Sequence, residues 1–564
     1  MKANKIIVAG LSLALSLSMV ACNNKETTPK NDANTTTEQN TADTTNNANN
    51  DYVEKYSRFY GDTLGNLGNY RMYETPEATT EYYKTNQYPG NEKYVEELKA
   101  AYKDSRDKIQ TFVDDLKNDA KTDDKEISEM NQKLIAEGEK TISNIDARLK
   151  NLDNLPKDIY SKSQDDFIRA VDEATKVKDS AKEVLEGKGQ LAAPGLINTH
   201  THIAMGLFRN YADDLELMEW LETAIWPTEA KLNDDYVRYG TQLGIAEMLR
   251  TGTTTFSDMY FFMNTTAEVV KETGIRSVLS RGLAGVSPTA DQALVENADL
   301  FRTWNGFDND RIKVLLGPHA PYTCPDDYME KVIALSHELN CGIHMHLSET
   351  KGEVETVMKA TGKTPIAHMH DLGLFWNTTL AAHCVHVTDE DMAIMSENNV
   401  AVAHNPQSNL KLASGIAPVP EMIAKGITVG LGTDGSASNN NADMLEEVRL
   451  AATLHKARLY DPKAIPAQAA WNMGTVEGAK ALGYTDLGVL AKGYRADIVL
   501  YDVSGMHWMP RYNDLAALVY SANSSDVNTT IVGGKVLMKD KELLTIDEEK
   551  LRAEITKAQT YFSN

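Results

Sequence analysis

Gly195-Leu196-Ile197-Asn198-Thr199-His200-Thr201-His202 is an apolar run that turns polar and closes on two histidines one residue apart. Side chains alternate across a strand, so His200 and His202 project to the same side. Further apolar runs, separated by helical stretches, occur at 253–259, 275–280, 313–317, 342–347, 379–384, 400–404 and 427–432. Eight strand–helix units over about 250 residues fit a closed parallel barrel, which predicts an α/β fold of (β/α)8 architecture. Barrels of this kind keep their chemistry at the C-terminal ends of the strands.

Those ends carry the polar residues here. His346 and Glu349 follow the fifth strand, His383 and His386 the sixth, and His404 the seventh; Asp434, in Gly432-Thr433-Asp434-Gly435, follows the eighth. Two neutral imidazoles side by side make a platform for a divalent metal. The His-x-His spacing alone is weak, since His344/His346 and His368/His370 repeat it. Its coincidence with polar residues at matching strand ends is what singles the site out. A lone barrel histidine is more often a hydrogen-bonded core or loop residue. His344, His368, His370, His386 and His404 are read that way, His386 and His404 with a weaker option of supporting a ligand.

The segments Ala193–His202, His346-Leu347-Ser348-Glu349, Ala382-His383-Cys384-Val385-His386, His404-Asn405-Pro406-Gln407-Ser408-Asn409 and Leu431–Gly435 resemble the amidohydrolase superfamily. More narrowly, they resemble its S-adenosylhomocysteine/5′-methylthioadenosine deaminase branch, from about Leu191 to the C-terminus and in family order. The resemblance implies that His200, His202, His346 and Asp434 bind one divalent metal, with zinc suited to the set and iron the alternative. Such a metal brings the pKa of a water toward neutrality. The resemblance further implies that Asp434 takes a proton from that water and that His383 orients it. Glu349 would carry a proton to purine N1 as hydroxide attacks C6 and ammonia leaves. Trp220 would pack on the nucleoside, Glu229 would bind both ribose hydroxyls, His319 would contact the purine, and Ser438 would line the pocket beside Asp434.

Arg281 matches the family arginine that meets the substrate's 5′ side. A second arginine found in some members has no counterpart, because Ser287–Ala293 contains no basic residue. A substrate carboxylate loses one charge-assisted partner by this. The expectation shifts from S-adenosylhomocysteine toward 5′-methylthioadenosine or adenosine. A second departure concerns the strands with which family members usually begin, completing a small sandwich with the C-terminal strands. They are expected to be absent here and replaced by helices, leaving C-terminal edges or faces for something to cover.

Composition narrows the partners. With 57 basic and 81 acidic residues the net charge is -24, which repels phosphate backbones and excludes nucleic acid as an expected partner. A neutral or zwitterionic small molecule remains compatible. At the N-terminus Lys2 and Lys5 precede the apolar run Ile6–Val20, too short to span a bilayer, and Met19-Val20-Ala21-Cys22 follows. This resembles a lipoprotein signal, predicting removal of 1–21, lipidation of Cys22 and an exported chain anchored to the cell membrane. The plainer alternative is a secretory signal with an incidental cysteine. Residues 22–50, nearly all polar, read as a tether. Residues 51–187 read as a helical domain with three amphipathic helices, 188–485 as the barrel, and 486–564 as a C-terminal β segment and terminal helix. Cys324, Cys341 and Cys384 form no disulfide framework and read as core residues.

Two other functions compete. A related amidohydrolase would act on guanine, cytosine or a halogenated triazine, although Glu229 has no ribose to bind on a bare ring. A non-catalytic surface-binding lipoprotein fits the tether and the helical extension. It gives no reason for the complete ligand set or for Glu349.

Overall fold

In the computed structural model, residues 73, 76–118, 125–175, 185 and 187–563 are described. The signal segment, Cys22 and the tether lie outside them. The chain divides into two compact units, 1–185 and 186–564.

The first unit contains α1 (Pro76–Thr85), α2 (Asn91–Asn118), α3 (Lys125–Leu152), a short 3-10 turn (Lys157–Ser161) and α4 (Gln164–Thr175). The long α2 repeats apolar residues at three- and four-residue steps, which puts them on one face. Leu98, Tyr102, Ile109, Phe112 and Leu116 bury that face with Leu134, Ile142 and Ile145 of α3 and Phe167 and Val171 of α4. Val177, Ala181 and Val184, which continue the apolar spacing of Phe167 and Val171 in the sequence, lie outside the described residues.

The second unit opens with β1 (Gln190–Pro194) and continues into eight barrel strands. These are β2 (Leu196–Thr201), β3 (Thr253–Tyr260), β4 (Arg276–Leu283), β5 (Ile312–Pro318), β6 (Ile343–Leu347), β7 (Thr379–His383), β8 (Ala401–His404) and β9 (Val429–Leu431). All pair in parallel, and Asn198 opposite Leu431 closes the barrel between β2 and β9. Strands buried on both faces need continuous apolar runs. That is why their positions were legible in the sequence.

β10 (Ile498–Asp502), β11 (Val527–Val532), β12 (Lys535–Lys539) and β13 (Glu542–Leu543) form a five-stranded antiparallel sheet with β1 at its edge. This corrects the expectation that every strand before the barrel is missing. β1 pairs with β10 from Gln190↔Asp502 to Pro194↔Ile498. Only Gly195 separates it from β2, and the sequence reading, which begins the first barrel strand at Gly195, did not find it as a strand of its own. A Cβ at Gly195 would lie 2.1 Å from Thr254 Oγ1, so only glycine fits this close passage. The sheet's inner face needs no further cover. Val499, Tyr501 and Val527 are buried in one barrel core cluster, and Val532 and Leu537 in another with Ile245 and Leu249. A buried ion pair, Arg276 Nε and Nη2 on Asp497 at 3.0 and 2.9 Å, ties β4 to the approach to β10. Removing one partner of such a pair costs about 3–5 kcal/mol.

Candidate functional site

The strand order brings His200, His202, His346, His383, Glu349 and Asp434 together at one mouth of the barrel. Asp434 Oδ1 lies 3.4 Å from His200 Nε2 and 3.3 Å from His202 Nε2. His346 Nε2 is 3.3 Å from His202 Nε2. Tetrahedral donors at metal–ligand distances of about 2.0–2.1 Å stand roughly 3.3 Å apart, so this spacing fits a four-donor cation site. His383 joins His200 and His346 in a group whose ligand atoms lie within 4.8 Å of one another, which makes it a fourth nitrogen beside the same point. Its Nε2 is 3.9 Å from Glu349 Oε2.

Each imidazole is fixed from behind. His202 Nδ1 donates to the Met259 carbonyl at 2.5 Å and His346 Nδ1 to the His319 carbonyl at 2.7 Å, which turns both Nε2 lone pairs inward. His200 is held through His344. Ser280 Oγ donates to the Asp258 carbonyl at 3.0 Å, and His344 Nδ1 donates to Ser280 Oγ at 3.2 Å. His344 Nε2 is then free to accept from His200 Nδ1 at 2.8 Å. His200 Nε2 is left buried without a hydrogen-bond partner and close to Asp434. An orphaned lone pair in that position is what a cation satisfies. His344 is thus the hydrogen-bonded core residue expected, but its partner is a candidate ligand.

Burial lowers the pKa of His200 and His319 to about 4 and takes His344 and His346 well below the ordinary imidazole value. Neutral imidazole is the form that ligates metal. Burial acts against protonation of His202 too, yet the hydrogen bond and charge of Asp434 lift it to about 9, so a cation bound there must displace a proton from Nε2. Burial would raise Asp434, but the His200 and His202 imidazoles beside it hold its carboxyl well below the usual range. Burial raises Glu349, with His383 pulling the other way.

The backbone pays locally for this convergence. Ser348, His383 and Asp434 have φ of 54°, 71° and 63°, a left-handed conformation that costs about 1–3 kcal/mol for a non-glycine residue. Glu353 braces the first turn by accepting the Ser348 and Glu349 N–H groups, both at 2.8 Å. Asn409 Oδ1 accepts from His383 Nδ1 at 2.8 Å. Asp434 Oδ2 accepts from Ser408 Oγ at 2.7 Å and Ser438 Oγ at 2.8 Å. A Cβ on Gly432 would lie 2.4 Å from Asn405 Oδ1 and 2.8 Å from His200 N, so glycine lets the last strand pass close to the first.

Sequence reading missed His344, Glu353, Ser408, Asn409 and Tyr260 as supporting residues. For Glu353 a signal existed: Thr350-Lys351-Gly352-Glu353 has the capping spacing of a helix start, and Thr350 Oγ1 does accept the Glu353 N–H. Ser408 and Asn409 sit in a segment whose histidine alone was weighed. His404 packs on His455 with ring centroids 5.3 Å apart, and His386 Nε2 donates to the Ser414 carbonyl at 2.7 Å. His368 Nε2 pairs with Asp326 at 2.8 Å, and His370 is exposed.

A cleft of about 420 Å³ opens above the cluster, within the ~300–1,000 Å³ usual for small-molecule sites. Trp220, Glu229, Arg281, His319 and Ser438 all line it with His202, His346, Glu349, His383 and Asp434. Trp220 and Glu229 are nine residues apart, which in an unbroken α-helix sets side chains about 180° apart. The stretch instead runs as helix Leu217–Trp220, π turn Leu221–Ile225 and helix Trp226–Glu229. The wider π turn unwinds the angle and brings both side chains to the cleft. Trp220 Nε1 donates to the Ala212 carbonyl at 3.0 Å, and Tyr260 OH donates to Glu229 Oε1 at 2.6 Å. Burial pushes Glu229 up to about 7, against the lowering effect of Tyr260. His319 Nδ1 lies 2.9 Å from Thr323 Oγ1.

The signature of the Amidohydrolase family matches residues 191–537. A 5-methylthioadenosine/S-adenosylhomocysteine deaminase of Dictyoglomus thermophilum is 54% identical over 374 residues, 66% of this chain and 88% of that protein. The protein of the same name from Syntrophomonas wolfei is 51% identical over 372 residues, 66% and 86% of the two chains. The crystal structure of an adenosine deaminase from Xanthomonas campestris with bound zinc superposes with a TM-score of 0.64 at 36% identity, covering 66% of this chain and 86% of that one. Atrazine chlorohydrolase from Arthrobacter aurescens, complexed with zinc, gives a TM-score of 0.64 at 26% identity over 68% and 91% of the chains. With the family signature spanning more than half of its residues over a closed eight-stranded barrel, the chain belongs to the amidohydrolase family.

Proposed function

We propose that the chain is a divalent-metal-dependent hydrolytic deaminase. It converts an adenine nucleoside, in the group 5′-methylthioadenosine, adenosine and S-adenosylhomocysteine, to its inosine analogue and ammonia. The observation that carries this is the set of four donors, three Nε2 and Asp434 Oδ1, at the floor of a cleft that also holds Glu349 and Glu229. The donor set suits zinc, with Fe2+ the alternative, and the names of the similar deaminases and of the zinc-containing structure support the same reading.

When bound, the metal supplies a water whose pKa lies near neutrality. Asp434, held ionised by its neighbours, would accept a proton at its carboxylate as water attacks. His383, its Nδ1–H held by Asn409, turns its Nε2 lone pair toward the attacking water and orients it by accepting a hydrogen bond. Glu349, whose burial favours the protonated form, delivers a proton to purine N1; the proton held by Asp434 then passes to the C6 amino group, which leaves as ammonia, while Glu349 regains a proton from the C6 hydroxyl. Trp220 packs on the nucleoside, His319 contacts the purine, and Ser438 fixes Asp434. Glu229 accepts the two ribose hydroxyls, a task for its ionised form. Binding should then weaken as pH falls through about 7. Tyr260→Phe removes a hydrogen bond that favours the carboxylate, so the acid limb of 1/KM is expected to move to higher pH. A pH series of KM on both proteins checks the sign.

Ammonia release from a panel of adenine nucleosides, free bases and a chlorinated triazine tests the reaction. Deamination confined to nucleosides is expected. Activity on bare bases or chloride release, with none on nucleosides, would replace this reading with its runner-up.

We propose in addition that the chain is exported, cleaved before Cys22 and held at the cell membrane by lipid on that cysteine. Lys2, Lys5, the run Ile6–Val20 and Ala21 beside Cys22 support this, and the polar segment after it suits a tether. Labelled fatty acid should enter the parent chain and not a Cys22→Ser variant.

A further inference from the structure

The proposed nucleoside cleft continues into a second cavity of about 850 Å³ that contains none of the metal-site histidines, nor Glu349 or Asp434. The two share Trp226, Glu229, Phe261, Arg281, Ser287 and Thr289. A substituent leaving the reacting ring away from the cluster therefore points past Arg281. Among the described residues lining either cavity, Arg281 is the one lysine or arginine.

That guanidinium is already engaged. Its Nε donates to Glu296 Oε2 at 2.7 Å, and its Nη1 donates to the Gly282 carbonyl. Its Cζ lies 5.1 Å from the centre of the Phe261 ring. Carboxylates bind arginine best through two parallel N–H donors. Glu296 takes one donor of the Nε–Nη2 edge, and its own negative charge stands where an incoming carboxylate would go. Glu296 comes from helix Ala290–Trp304, which packs beside β4 and β5, so the cap is part of the barrel wall. Glu229 and Asp234 add two more carboxyl groups to the second cavity, and among the described residues lining it Arg281 is the one lysine or arginine.

We propose that Glu296 is a specificity residue: by capping Arg281 it favours adenine nucleosides with an uncharged 5′ substituent over those whose 5′ tail ends in a carboxylate. This rests on the deaminase reading above and names the substrate class within it. 5′-Methylthioadenosine and adenosine have uncharged tails. S-adenosylhomocysteine carries an amino-acid carboxylate that would compete with Glu296 for the same donor.

The test is the ratio of kcat/KM for S-adenosylhomocysteine over 5′-methylthioadenosine, which cancels any change in folded fraction. Glu296 is 43% exposed, so solvent screens its charge. Glu296→Gln is expected to raise the ratio about fivefold, near the upper end for an exposed ion pair. In an Arg281→Met background the same substitution is expected to leave the ratio unmoved. A ratio unchanged by Glu296→Gln, or one that falls because Glu296 pairs with the substrate ammonium, overturns the inference. A rise that persists without Arg281 overturns it as well, since Glu296 would then act by direct repulsion. A parent active on 5′-methylthioadenosine with an unmoved ratio defeats this inference alone. A parent that releases ammonia from neither of these nor from adenosine defeats the deaminase reading with it.

Discussion

Glu349→Gln is expected to lower kcat for ammonia release by about 10²–10⁴-fold, the range for loss of a positioned general acid, with metal content unchanged. The expectation comes from where the side chain is held. Glu349 lies at the mouth of the barrel with Oε2 3.9 Å from His383 Nε2, and no ligand distance involves it. Its backbone is fixed by Glu353, whose carboxylate takes both the Ser348 and the Glu349 N–H groups. Glutamine keeps the shape of the side chain but cannot give up a proton to purine N1. The deficit should therefore sit in kcat, with KM within a few-fold of the parent. Steady-state kinetics beside metal analysis separates the cases, and a variant that loses its metal would make Glu349 a ligand instead.

Asp434→Asn should be at least as damaging, and in a different way. Oδ1 stands at ligand spacing from two imidazoles, while Oδ2 accepts two serine hydroxyls. An amide in this place loses the negative charge. It also presents N–H groups either to the cation or to hydroxyls whose hydrogens already point at it. Activity is expected to fall by about 10³-fold or more, since loss of the base alone lies at about 10²–10⁴, and bound metal should fall in parallel. Retention of stoichiometric metal with full activity would remove Asp434 from the site.

The barrel was legible because its strands are apolar on both faces and stop at polar residues in a repeated place. His200, His202, His346 and Asp434 stood at such stops. What lay beyond the sequence was geometry between elements. The strand Gln190–Pro194 has no pattern of its own until Ile498–Asp502 is set beside it. His344 reads as one more buried histidine until Ser280 and His200 are found on its two nitrogens. The π turn at Leu221–Ile225 and the left-handed backbone at Ser348, His383 and Asp434 carry no residue signature, since glycine occupies none of those three positions. Glu296, fifteen residues from Arg281, meets it only because helix and strand pack together.

The most direct measurement is metal content and ammonia release on one preparation, before chelation, after it, and after adding back one equivalent of Zn2+. One divalent ion per chain is expected, with deamination of 5′-methylthioadenosine that disappears with the ion and recovers when it returns. A metal-free protein that deaminates the nucleoside at the original rate would contradict the metal-dependent reading.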